Sequence, residues 1–364
     1  MSNKRNYRTG FNLLLTIGLL VLIVFSHSQT VAKQSDFNAQ SLTAGSRYVR
    51  TGAEIAMLTE RVIDDRLEGL VNETAVSIIV TYVEPFDLTQ LQAIPDSQIV
   101  NTYQRMKGVS MIVPGDQIMS VTQLPNITGV YADELQQVEA TVSQPSADIT
   151  AAQTAVDATA GAGTLFAAID TGVWPEHPSF AELNSAAMPD VGTYPCEFGN
   201  TAWQPDDAPF ACNNKLVGAY TFLDTYKALQ GLTAVEFDSA RDDHGHGTHT
   251  TTSAVGNADV PAAVAGTDMG TISGVAPQAQ VIAYKVCGGT GCYASDALAA
   301  IEQAIIDDVD VINYAIGGSN SPYNDIISLA FLDAYNNDIF VARAAGNNGP
   351  EPDTLSEQTP WVTT

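Results

Sequence analysis

The chain has 364 residues, enough for two domains with substantial cores, and its 15 Lys and Arg stand against 41 Asp and Glu for a net charge of −26. Such a charge repels nucleic-acid phosphate and anionic lipid, so polyanion binding is excluded and the charge reads as a solubility feature.

Residues 1–32 have the composition of an export signal. Lys4, Arg5 and Arg8 precede a nearly unbroken apolar run from Phe11 to Phe25, and Thr30-Val31-Ala32 offers small residues at a cleavage point. The run is short for a membrane span, so the expectation is a secreted or extracellular protein, free of the membrane once the signal is removed. An uncleaved anchor helix is the alternative.

The β-branched run Val76–Tyr82 predicts a strand, followed by a helix-like stretch near Asp96–Arg105 and a second strand over Val109–Val113. A short helix over Ile118–Leu124, a turn at Leu124-Pro125-Asn126 and a strand at Gly129–Ala132 complete a small α+β body. From Glu139 to Gly161 the chain is rich in Ala, Thr, Ser and Gln with little apolar periodicity, as suits an exposed linker open to proteolysis.

Beyond the linker, strands at Leu165–Ile169, Gln280–Val286, Val309–Ile316 and Ile339–Ala345 are interleaved with helical patterns. One of these has Ser295 as candidate cap and Leu298, Ile301 and Ile305 on one face, and another runs over Asp325–Tyr335. This alternation predicts an α/β fold with a parallel sheet covered on both faces, whose ligands sit beyond the carboxyl ends of the strands. Asp170, Gly317 and Asn347 fall there.

The cysteines are Cys196, Cys212, Cys287 and Cys292. In an exported chain they can pair as neighbours, Cys196 with Cys212 and Cys287 with Cys292, although four cysteines allow three connectivities and sequence leaves the other two open. A thiol nucleophile is disfavoured because no histidine lies near any of them.

Three hydrolytic chemistries could use Asp170-Thr171-Gly172, the segment from Asp242 to His249 and Ala344-Ala345-Gly346-Asn347. An aspartic protease needs two carboxylates sharing a proton, and no second Asp-Thr-Gly or Asp-Ser-Gly occurs. A zinc hydrolase could draw on His244, His246 and His249, with His246 and His249 one helical turn apart, but no Glu follows the first histidine as a metalloprotease base would. The third chemistry orients an imidazole with a carboxylate, uses the imidazole to take a proton from a serine, and holds the oxyanion with an amide.

Here the resemblance becomes specific. Asp170-Thr171-Gly172, His246-Gly247-Thr248-His249 and Ala345-Gly346-Asn347 resemble, in order, three of the four signature blocks of the subtilisin-like serine proteases. Val275-Ala276-Pro277, Tyr284-Lys285-Val286 and the stretch Val309–Gly318 also match. The run from Trp174 to Phe180 and Cys212-Asn213-Asn214-Lys215-Leu216 resemble most the plant subtilases and their bacterial relatives. The resemblance covers Leu165 to the last residue, and more weakly residues 76–138, which resemble an inhibitory propeptide.

The resemblance implies a signal peptide at 1–32, an inhibitory propeptide at 33–140 with its core at about 76–138, a linker at 141–163 and a catalytic domain at 164–364. It implies a serine-type endopeptidase made as a zymogen, in which Asp170 orients His246, His246 is general base and then acid, and Asn347 donates its amide to the tetrahedral intermediate. Ala315, Ile316 and Gly317 would pair with an extended peptide as an added strand, a glycine at 317 allowing close approach. His177, His244 and His249 would be structural. The partners implied are polypeptide substrates and the chain's own propeptide; no nucleic acid is implied. No cofactor or metal site is predicted; the family allows structural calcium, but no acidic loop here has ligand spacing.

Two residues depart from the pattern. Ala315 replaces the usual serine, and Arg343 stands where a small residue is common, so its side chain must find solvent, a carboxylate or the substrate cleft. The nucleophile block is absent: Ser273, Ser319 and Ser356 lack the Gly-Thr-Ser context and a strand-to-helix turn. The expectation is therefore a precursor whose 364 residues stop short of the catalytic serine. The alternative is a non-catalytic inhibitor or binding module on a protease-like scaffold.

Overall fold

The computed structural model describes residues 61–139, 160–183 and 192–364. The signal-peptide reading, most of the linker and the first part of the propeptide reading lie outside these residues.

The first body contains β1 (Val62–Ile63), β2 (Val76–Tyr82), helix α1 (Thr89–Gln92), β3 (Gln98–Tyr103), β4 (Gly108–Val113), helix α2 (Ile118–Thr122) and β5 (Ile127–Ala132), in a sheet of order β1-β5-β2-β4-β3. β2 pairs antiparallel with both β4 and β5, and all seven of its residues are buried. Its two-residue period sends Ile78 and Val80 into a core with Leu91, Met111 and Val121, while Ile79 packs with Tyr103 and Tyr131 against the second body. Burial on both faces accounts for the absence of a strict apolar–polar alternation in this β-branched run.

The helix-like reading of Asp96–Arg105 is corrected: this segment is β3, paired antiparallel with β4. Ile99, Val100 and Thr102 favour extended backbone, and the left-handed residues Asp96 and Lys107 turn the chain on either side.

The strand β6 (Leu135–Gln136) leads out of the first body, and the second body follows with β7 (Leu165–Asp170), β8 (Leu216–Thr221), helix α3 (Asp224–Leu229) and helix α4 (His246–Val255). Then come the hairpin β9 (Val260–Val264) and β10 (Thr267–Ile272), β11 (Gln280–Lys285), β12 (Cys287–Gly288), β13 (Gly291–Tyr293), helix α5 (Ala294–Ile306), β14 (Val311–Tyr314), helix α6 (Ile326–Asn336) and β15 (Phe340–Arg343). The main sheet has the order β15-β14-β7-β11-β8, and every pairing in it is parallel.

Along β7 the side chains alternate between two cores. Leu165, Ala167 and Ile169 pack with Leu298 and Ile301 of α5 and Phe331 of α6, whereas Phe166 and Ala168 pack with Val255 of α4, Phe180 and Leu216. Helices thus cover both faces, as the α/β reading predicts. All five carboxyl ends lie at one edge, which brings the segments after β7, β14 and β15 together.

Ser295 does not cap its helix. α5 begins after Tyr293, Ser295 lies inside the first turn, and its hydroxyl donates to Thr225 Oγ1 (2.7 Å) while its N–H donates to Asp133 Oδ1 of the first body (3.0 Å). An acidic group at a helix amino terminus is electrostatically favoured, and here the other body supplies it. Asp325 does cap α6, accepting from Ser328 N. Both neighbour disulfides, Cys196–Cys212 and Cys287–Cys292, are present.

Lys215 is fully buried, and its ammonium donates to the carbonyls of Val255, Pro277 (2.9 Å) and Ala279 (2.6 Å). Three donors meet three acceptors, joining β8, the end of α4 and the entry to β11. Lys215→Met should leave those carbonyls unpaired and lower stability by about 3 kcal/mol, read as a shift of the urea midpoint at constant slope; an unchanged midpoint would show that the cation is dispensable.

Candidate active site

The strand β7 ends at Asp170, and the chain can turn sharply there because Gly172 is left-handed (φ +98°) and a Cβ on it would lie 2.4 Å from the Ala240 carbonyl. The amino terminus of α4 reaches the same point. Gly247 permits this approach, since a Cβ there would lie 2.2 Å from the Gly172 carbonyl.

His246 Nδ1 lies 2.6 Å from Asp170 Oδ1, and both side chains are buried. The carboxylate is held by further donors: Thr171 N reaches Oδ1 (2.7 Å) and Thr250 Oγ1 reaches Oδ2 (3.1 Å). Nδ1–H therefore points at Asp170, which leaves Nε2 for proton transfer. Nε2 is buried with no hydrogen-bond partner among the described residues. Burial pulls the imidazole down, but the hydrogen bond and charge of Asp170 and the nearby Glu139 carbonyl outweigh it, leaving His246 above its ordinary value.

Sequence reasoning gave Asp242 no role, yet it is the clamp of this arrangement. Its Oδ1 accepts from Thr171 Oγ1 (2.9 Å), His244 N (3.0 Å) and Gly245 N (2.8 Å), and its Oδ2 from Thr248 N (2.9 Å) and Thr248 Oγ1 (2.6 Å). Thr171 Oγ1 in turn accepts from Gly247 N (2.8 Å). One carboxylate thus ties the end of β7 to the start of α4. The signal was its position four residues before His246, in a loop rich in backbone donors.

The flanking charges are also committed. Arg241 pairs with Asp207 (2.9 Å) and Glu176 (2.6 Å) beneath the Trp174 ring, and Lys285 donates to Asp243 (2.9 Å) and the Arg241 carbonyl (2.7 Å).

His244 and His249 are exposed, and His246 Nδ1 is engaged by Asp170, so the three histidines do not converge as ligands. His177 accepts from Ser179 N at a short turn. Among the described residues, no group of three or more His, Cys, Asp and Glu could hold a metal ion.

Ala315, Ile316 and Gly317 follow β14 and pair with the chain's own residues 137–139. Glu139 N donates to Ala315 O (2.8 Å), Gly317 N donates to Gln137 O (3.1 Å), and Val138 bridges Ile316 in antiparallel sense. On the other side β6 pairs antiparallel with β13, Gln136 opposite Cys292 and Leu135 opposite Tyr293. Residues 135–139 therefore form the middle strand between β13 and the segment after β14, and Glu139, read as the start of the linker, is paired there.

A Cβ at 317 would make only an ordinary 3.8 Å contact with Gln137 O, whereas one at Gly318 would lie 2.4 Å from the Ser356 carbonyl. Asn347 follows β15 and is exposed at the same edge of the sheet as Asp170. Ser356 Oγ donates to Ala345 O (3.1 Å), Ser319 Oγ accepts from Ser321 N, and Ser273 Oγ accepts from Asp259 N.

A raised histidine value means that protonation of His246 contributes stability that is complete below 6.5 and fades as pH rises through the folded value. In Asp170→Asn the largest raising influence is removed, so the His246 titration followed by NMR should move down; an unchanged titration would show that Asp170 does not control the ring.

A family profile described as "Subtilase family" matches residues 161–362. Subtilisin-like protease SBT1.5 of Arabidopsis thaliana is 35% identical over 285 residues, covering 76% of this chain and 36% of the relative. SBT1.3 of the same plant is 31% identical over 379 residues, covering 100% of this chain and 44% of the relative. The chain thus spans less than half the length of these relatives. Among solved structures, fervidolysin from Fervidobacterium pennivorans, a keratinolytic enzyme related to subtilisin, aligns with a TM-score of 0.48 and 17% identity, over 80% of this chain and 42% of that one. The epidermin leader peptide processing serine protease of Staphylococcus aureus aligns with a TM-score of 0.49 and 17% identity, over 77% of this chain and 62% of that one. With the profile covering more than half of its length, the chain belongs to the subtilase family.

Proposed function

We propose that this chain is the precursor part of an exported serine-type endopeptidase, with residues 61–139 acting as an intramolecular inhibitor whose last strand occupies the substrate cleft. The observation that carries this reading is the Glu139 backbone, with its N–H on Ala315 and its carbonyl beside the His246 ring. An extended peptide held antiparallel on a cleft edge presents one carbonyl to the catalytic groups, and here that carbonyl is Glu139's. The bond to be cut is Glu139–Ala140.

In the reaction a serine hydroxyl attacks the substrate carbonyl while His246 Nε2 takes its proton, and Asp170 holds Nδ1–H and stabilises the imidazolium. The Asn347 amide donates to the oxyanion, and His246 returns the proton to the leaving amine as the peptide bond breaks. Water then hydrolyses the acyl-enzyme with the same histidine as base. Residues 1–364 contain no Gly-Thr-Ser block.

Docking of the first body supports the inhibitory role. Glu302 of α5 accepts from three successive N–H groups, Gln104, Arg105 and Met106 (2.8–2.9 Å), Arg105 pairs with Asp333 (2.6 Å), and Tyr103 Oη donates to Ser295 O (2.9 Å). The Glu302 contacts are charge-assisted and stronger than neutral ones.

Expressed as its whole reading frame, the protein should degrade unfolded casein, be blocked by a serine-directed phosphonate, and carry Ala140 as its mature amino terminus. His246→Ala should lower kcat by about 10⁴-fold or more and leave the precursor uncut, and Asn347→Ala should lower kcat by about 10²–10³-fold. Phosphonate-insensitive turnover, or a mature terminus far from residue 140, would contradict the proposal. A frame with no serine block and no turnover would favour the non-catalytic module.

A further inference from the structure

Arg343 is a large cation on β15, and its side chain is entirely inaccessible to solvent. Its Nη1 makes an ion pair with Glu357 Oε2 (2.7 Å), itself fully buried, and donates to Ser328 Oγ at the start of α6 (3.1 Å). The other prong, Nη2, donates to the carbonyl of Gly317 (2.9 Å), within the segment that pairs with residues 137–139. The guanidinium also lies 5.5 Å from the centroids of the Tyr314 and Phe331 rings. Of the three environments open to this residue, it takes a carboxylate with one prong and the back of the cleft with the other.

Glu357 is equally divided. Its Oε1 accepts from Thr359 N (2.7 Å), and its Oε2 receives Ser319 N (3.3 Å) as well as Arg343. The adjoining Ser356 packs under the loop that leads to Asn347: its N–H donates to Ala345 O (2.9 Å), and its hydroxyl would lie 2.3 Å from a Cβ placed on Gly346. The ion pair therefore sits where the peptide-pairing edge, the strand leading to Asn347 and the segment 356–359 meet. A buried ion pair is costly to desolvate and gains little over apolar packing, so its value lies in fixing geometry.

We infer that the buried Arg343–Glu357 pair positions the peptide-binding edge, holding Gly317 in register for an incoming strand and fixing that edge relative to the Asn347 loop. The inference rests on the reading that residues 315–317 bind extended peptide. Arg343 touches no substrate atom; it acts through the Gly317 carbonyl. Ala315 lacks a side-chain hydroxyl, so the register of this edge is set by the backbone and by the group that grips it from behind.

Hydrogen exchange on the 364-residue chain tests this without any catalytic serine, because residues 137–139 already occupy the edge. Arg343→Met alone strands the Glu357 charge in the interior and can unfold the chain, so the informative protein is Arg343→Met/Glu357→Met, which removes both charges. In that variant the amides of Glu139 and Gly317 should exchange at least about tenfold faster, while those of Leu165–Asp170 and Gln280–Lys285 keep their rates. Unchanged rates at Glu139 and Gly317 would overturn the inference. Loss of protection spread evenly over the central strands would also overturn it, making the pair a determinant of the fold. If these two amides are unprotected even in the unaltered chain, the occupied-cleft reading itself fails, an outcome distinct from failure of the role of Arg343.

Discussion

The hydrogen bond between Asp170 and His246 is the constraint on which the rest of the site depends. It requires the carboxyl end of a central parallel strand and the first turn of a helix to meet within 2.6 Å, with both side chains removed from solvent. A bare carboxylate and imidazole in that setting would be expensive to bury. The cost is offset by Thr171 and Thr250 donating to Asp170, and by Asp242 gathering the helix amino terminus through five donated hydrogen bonds. Gly172 and Gly247 supply the close backbone approach that no side chain would permit. The outcome is an imidazole with one nitrogen fixed and the other buried and available.

The second organising fact is that the segment after β14 is already paired, by the chain's own residues 137–139. Residues 135–139 complete an antiparallel arrangement between β13 and the segment after β14, and the sheet of the first body anchors that strand through Asp133, Glu302 and Arg105. Docking of the first body on α5 and α6 and the backbone pairing of residues 137–139 reinforce one another, because ordering the strand costs less once its sheet is fixed.

Much of this was legible in the sequence, for physical reasons. Asp170 and His246, which the structure brings together, stand in short motifs whose glycines and threonines are dictated by the geometry around them, and the alternation of strands and helices announced the parallel sheet. The neighbour disulfides were one of three open pairings. Other features were hidden because they depend on partners distant in sequence. β3 carried a helix-like pattern until its pairing with β4 and the left-handed turns at Asp96 and Lys107 overrode it. Asp242 was one charge in a charged run. Arg343 looked anomalous because Glu357, its complement, is meaningful only when the two segments are packed together. Glu139 looked like the start of a linker because the segment it opens is polar, while its backbone pairs with the segment after β14.

The central claim is that His246 is paired with Asp170 and buried beside Glu139, whereas His244 and His249 face solvent. Carbethoxylation by diethyl pyrocarbonate, resolved residue by residue by mass spectrometry, reads this directly. The account predicts that in the intact chain His244 and His249 are modified readily and His246 slowly, and that Glu302→Arg, which breaks the docking of the first body, exposes His246 to reaction. Modification of His246 at the rate of His249 in the unaltered chain would contradict it.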